Sequence, residues 1–119
     1  MMKIYNSEKI KRTHTVFKEP YPMNLFLTIS ECILSEFPII PEKITQKNLD
    51  GLLYALTLLP DKAKEILRLR FEERQTYVQI GKSFGVGGER IRRQILHSMV
   101  LLRRPPLIGY LIHGKPDNS

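Results

Sequence analysis

TYVQIGKSFGVGGERIRR, residues 76–93, decides the fold. Thr76, with Gln79 three residues on, forms a capping-box pattern that opens a helix. Tyr77, Ile80 and Phe84 then recur at helical spacing. Gly85 is suited to the positive φ that closes many helices. A second helix starts within a few residues, near Gly88. Its apolar positions Ile91, Ile95, Met99 and Leu102 continue to Arg103-Arg104-Pro105-Pro106, where the prolines end it. A short helix, a glycine turn and a longer basic helix make a helix-turn-helix. Gly81 falls where two closely crossing helices need a small side chain. Val86 fills the gap between them, and Ile91 anchors the second helix.

The charge pattern gives that motif a chemistry. Glu89, Arg90, Arg92 and Arg93 occupy the start of the second helix, the end that such a helix offers to base edges in the major groove. Arginine can donate two hydrogen bonds to guanine, and glutamate can accept from the cytosine amino group. Three arginines at a helix N-terminus oppose the helix dipole, which favours acids there. Such a local violation marks a functional position.

The whole chain of 119 residues suits one compact domain, and 42% apolar residues suffice for a core. The formal charge is +7, which favours an anionic partner. Most of it lies between residues 60 and 104, where eleven Lys or Arg face five acids, net +6. Residues 20–59 carry net −2, and the first 19 residues net +3.

Other chemistries fit poorly. GVGGER lacks the third glycine and preceding strand of a dinucleotide fingerprint, and no Lys-Ser/Thr follows to make a P-loop. His14, His97 and His113 are too far apart for metal-ligand spacing. Glu72-Glu73 reads as a solvated turn, with no acid–base pair. The expectation is a protein with no catalytic residues, no metal and no cofactor. Cys32, the single cysteine, excludes an intramolecular disulfide and reads as a small buried side chain. The N-terminal residues lack the apolar core of a signal peptide, and no apolar run reaches membrane-spanning length. A soluble cytoplasmic protein with no membrane partner is expected.

Along the chain, residues 1–19 read as a basic flexible arm. Residues 20–58 form an N-terminal helical segment. Leu25, Phe26, Ile29, Ile33, Leu34 and Phe37 predict a helix over 23–37. Leu49, Leu52, Leu53, Leu56 and Leu59 predict another over 49–59. Pro60 fits the first turn of a third helix, with Asp61 at its positive end and Ala63, Ile66, Leu67 and Phe71 facing a core. Residues 59–105 form the DNA-binding domain. The tail, 106–119, includes LIGYLI, which covers the domain. No strand-like alternation occurs. The fold class is all-α: a helix-turn-helix without a wing, plus additional N-terminal helices.

LLPDKAKEILRLRF, TYVQIGKSFGVGGERIRR and LLRRP, in that order, resemble the fourth conserved region of bacterial RNA polymerase sigma factors. The resemblance covers about 58–105 and is dense, with E-R-I-R after a G-V turn. It implies a helical domain that binds the −35 promoter element on double-stranded DNA and docks on the β flap of core polymerase. It places Glu89 and Arg90 at base-edge or adjacent contacts, and Arg92 at a further DNA contact. Thr76, Lys82, Arg70 and Lys62 fall where the family touches the DNA backbone. Gly87 and Gly88 stand in place of Thr-Arg, Arg93 in place of glutamine, and Gln94 in place of an isoleucine.

Residues 1–58 do not resemble the aromatic-rich region with which sigma factors melt DNA. The chain is therefore expected to work with a separate sigma region 2 subunit, or as a small regulator of phage or mobile-element type. The alternatives of another class are a protein-interaction module with DNA contact secondary, and a dimeric helix-turn-helix repressor.

Overall fold

The computed structural model describes residues 18–30 and 43–116. Among them are six helices and no strand. They are α1 (Met23–Ser30), α2 (Gln46–Leu56), α3 (Asp61–Phe71), α4 (Tyr77–Phe84), α5 (Gly88–Leu102) and α6 (Leu107–His113). The all-α class expected from the sequence is the class observed.

Helix α1 is buried along most of its length, with Leu25, Phe26 and Ile29 fully enclosed. A buried helix must satisfy its polar groups internally. Asn24 Nδ2 donates to the carbonyl of Phe71, the last residue of α3, at 2.9 Å. From the end of α5, Arg103 Nε donates to the Ile29 carbonyl at 3.2 Å. Both bonds join helix ends far apart in the chain. The part of the predicted 23–37 helix beyond Ser30, with Cys32, lies outside the described residues, as does the arm up to residue 17.

Helix α2 starts earlier than the apolar stripe indicates, at Gln46 rather than Leu49. The cause is a capping box. Thr45 Oγ1 accepts from the Asn48 backbone N–H at 3.1 Å, and Asn48 Oδ1 accepts from the Thr45 N–H at 3.0 Å. The helix ends at Leu56, and Leu59 is buried from the following turn. Leu53 is 39% exposed rather than inward. The buried seam runs through Asn48, Gly51, Leu52, Ala55 and Leu56, so Leu53 falls at its edge. Pro60 stands one residue ahead of α3, with ψ 149°, because its extended backbone cannot belong to the first turn.

The most extensive helix pairing is between α2 and α6. Asn48 Nδ2 donates to the carbonyls of Leu111 (2.8 Å) and Ile112 (3.2 Å) near the end of α6, which no longer have helical partners. Tyr54 meets Tyr110 edge to face, with ring centroids 4.9 Å apart. At Gly51 the two backbones touch: a β-carbon there would lie 1.8 Å from the Tyr110 carbonyl oxygen. The LIGYLI tail is thus a helix, and it covers the domain by clasping α2. Helices α3, α4 and α5 pack on one another beside it, with Ile66, Leu67, Phe71, Ile80, Ile91, Ile95 and Met99 buried.

The clasp gives two glycines opposite fates. Gly51→Ala forces α2 off α6 and is expected to destabilise by about 1–3 kcal/mol, the range for overpacking. Gly109→Ala, on α6, meets no atom within 4 Å and is expected to stabilise by up to ~1 kcal/mol through helix propensity. Urea unfolding of both variants checks the pair; equal midpoints would overturn the account.

Candidate nucleic-acid interface

The motif begins at a working cap. Thr76 Oγ1 accepts from the Gln79 N–H at 3.1 Å, and Gln79 Oε1 accepts from the Thr76 N–H at 2.8 Å. Helix α4 runs two turns and stops at Gly85, whose φ of 71° is left-handed and favours glycine. The chain reverses, and the Val86 N–H returns to the Gly81 carbonyl at 2.9 Å. Gly81 makes this turn possible. A β-carbon on it would stand 2.4 Å from the Val86 oxygen. Val86 is half-buried against the core, between the two helices.

Gly87 precedes α5 with extended backbone and offers no side-chain cap. Gly88 begins the helix close to α4: a β-carbon there would lie 3.2 Å from both Val78 Cγ2 and Val78 N. The helix then buries Ile91, Ile95, Ser98, Met99 and Leu102. Gln94 is half-buried. The 3.6-residue period directs Glu89, Arg90, Arg93, Leu96 and His97 away from the core, and all five are exposed.

The charges on this face are ordered among themselves. Arg92 Nε donates to Glu89 Oε1 at 3.0 Å, and its terminal nitrogen donates to Oε2 at 2.5 Å. This is a two-pronged pair one helical turn apart. Hydrogen bonding to Arg92 holds the Glu89 carboxyl below the usual carboxylate range, with the charges of Arg92 and Arg93 adding to it. The same bond raises the Arg92 guanidinium. Arg93 Nε stays 4.0 Å from Glu89.

The four candidates assigned to backbone contact lie in different settings. Lys82 is exposed in the last turn of α4, where a cation suits the helix dipole. Lys62 holds its ammonium 5.6 Å from the centroid of Phe84. Arg70 stacks over Tyr77 at 4.4 Å and donates to the Gln75 carbonyl at 3.0 Å, so it braces the link between α3 and α4. The Thr76 hydroxyl serves its own helix cap.

Glu72 and Glu73, expected as a solvated turn, are exposed and face Arg68. Arg68 gathers Glu65 and Glu73 at 2.8 Å each, with Glu72 at 3.8 Å. The spacing Glu65-x-x-Arg68 was the available signal. Arg74 has φ 60°, unusual for a side-chain-bearing residue, and donates to the Glu19 carbonyl at 3.2 Å. Val78, Leu96 and Val100 are exposed apolar side chains. Their positions fall out of phase with the buried stripes, which is a legible signal in retrospect. No helix among the described residues is long and apolar enough to cross a membrane.

A glycine-closed two-helix turn bearing arginines on its outward face defines a helix-turn-helix of the DNA-binding kind. Residues 55–104 match the family model described as Sigma-70, region 4. That segment, from the end of α2 through α5, is a sigma-region-4-like helix-turn-helix domain, of a DNA-binding, transcription-regulating kind. No curated protein and no solved structure matches the chain.

Two predictions follow from this geometry. Gly81→Ala is expected to destabilise by about 1–3 kcal/mol, whereas Gly87→Ser, into open space, adds a cap and stabilises by a few tenths, ~0.3 kcal/mol. Thermal unfolding distinguishes them, and a harmless Gly81→Ala would show that the turn is not so constrained. Because the Glu89 carboxyl is depressed, its pairing with Arg92 is present at neutral pH and is lost as pH falls through the lowered value. In an NMR titration, Arg92→Ala should raise the Glu89 midpoint toward the ordinary carboxylate range; an unmoved midpoint would refute the pairing in solution.

Proposed function

We propose that the chain is a sequence-specific DNA-binding transcription factor. Residues 59–105 form the DNA-binding unit, and α5, from Gly88, enters the major groove of a −35-like promoter element. The observation that carries this reading is the outward face of α5, where Arg90 and Arg93 are exposed on the side opposite Ile91 and Ile95. Lys82, at the end of α4, lies on the same motif and adds a phosphate contact. RNA polymerase core, through its β flap, is the protein partner that the match to Sigma-70 region 4 favours. DNA opening then falls to a separate sigma region 2 subunit. The protein acts in the cytoplasm, without a catalytic step or cofactor.

The binding should be strongly salt-dependent, because each neutralised phosphate releases counterions. The expected log–log slope is about −0.9 per phosphate contact. Fluorescence anisotropy with a duplex should show affinity falling about fivefold or more on Arg90→Ala, in keeping with a lost bidentate contact. Salt-independent affinity, or an unaffected Arg90→Ala variant, would sink this reading.

A second reading has one observation in its favour. Leu96 is 48% exposed on α5, and Val100 is exposed one turn further on, which suits an apolar protein surface better than phosphate. On that reading the domain binds polymerase or a regulator, and DNA contact is secondary. Capture of core polymerase by the Arg90→Ala variant after nuclease treatment would favour it.

A further inference from the structure

We infer that Arg93 is a specificity-determining side chain of α5 and reads a guanine edge, while Arg92 is a positioning residue that holds Glu89. This rests on the reading of α5 as the helix that enters the groove. The three neighbouring arginines look alike in the sequence, and their surroundings separate them.

Arg92 is already committed. Its Nε and terminal nitrogen occupy both oxygens of Glu89, at 3.0 and 2.5 Å. The edge of the guanidinium formed by Nε and one terminal nitrogen is therefore taken by a carboxylate of the same chain, which ties Arg92 to the first turn of α5.

Arg93 is placed differently. It lies about half a turn from both Ile91 and Ile95, which are buried, so it projects from the outermost line of the helix. Its side chain is 68% exposed. Its Nε is 4.0 Å from Glu89 Oε2, too far for a hydrogen bond and near enough for the carboxylate to bias its direction. Neither the Arg93 nor the Arg90 guanidinium makes a hydrogen bond among the described residues, although their backbones belong to the helix. Both keep the full guanidinium fork for the O6 and N7 acceptors of guanine.

The spacing of these two arginines fits neighbouring base pairs. Three residues of helix advance about 4.5 Å, against a base-pair step of about 3.4 Å. Arg90 and Arg93 share one face and are both long, so they suit two guanines at adjacent positions.

The test uses the full chain. Bound duplexes are first selected from a random pool with wild-type protein and with the Arg93→Gln and Arg92→Ala variants. Each preferred guanine is then replaced by 7-deazaguanine, which lacks the N7 acceptor and keeps Watson–Crick pairing. At one guanine the replacement should weaken wild-type binding about fivefold or more and leave Arg93→Gln unaffected. Arg93→Gln should prefer adenine there, because glutamine pairs with the adenine N6 and N7 edge. Arg92→Ala should keep the guanine preference. If Arg92→Ala removes that preference and Arg93→Gln keeps it, Arg92 is the reader and the inference is wrong. It is equally wrong if no preferred guanine responds to Arg93→Gln. If wild-type protein selects no sequence and binds no duplex at low salt, the reading of α5 as a groove helix fails, and this inference fails with it.

Discussion

The carbonyl of Val86 occupies the space that any side chain at position 81 would need. That approach fixes how α4 turns into α5. Gly85 supplies the left-handed backbone, and the Val86 N–H returns to the Gly81 carbonyl. With the crossing set, Ile91 and Ile95 have one direction in which to be buried. Arg90 and Arg93 are then carried outward by the helical period alone. The placement of the charged face is thus a consequence of backbone contact at a position that carries no charge.

Net charge is a poor measure of what this surface offers a partner. The segment 60–104 is strongly basic, yet many of its cations are engaged inside the molecule. Arg68 holds three glutamates, Arg70 stacks on Tyr77, and Arg92 grips Glu89. Exposed pairs of this kind contribute little stability, because water screens them. Their larger effect is to settle where side chains point. They leave Arg90, Arg93 and Lys82 as outward cations on the two helices of the motif.

The motif is supported from behind by polar groups at helix ends. Asn24 meets the last carbonyl of α3, Asn48 meets two carbonyls near the end of α6, and Arg103 reaches back to α1. Each bond joins residues distant in sequence and satisfies a carbonyl at or near the end of a helix. Burial supplies most of the driving force, and these bonds decide which helix end sits beside which. The flat contact at Gly51 then lets α6 lie close on α2.

The helix-turn-helix was legible in the sequence because its determinants are local. A capping box, a glycine at a left-handed position and a 3.6-residue stripe each act within a few residues. The same locality made the start of α5 and its buried residues readable. The early start of α2 depended on Asn48, which serves both a local cap and the distant carbonyls of α6. The exposure of Leu53 depended on which seam α6 covers. Arg70 and Arg92 were recognisable as cations, but their partners are fixed only when α3, α4 and the first turn of α5 are assembled. The amino-acid sequence by itself determined the type and order of the elements, since these follow from nearest-neighbour chemistry. The tertiary structure alone decided which charges remain outward and how the tail clasps the domain, since these depend on side chains brought together by packing.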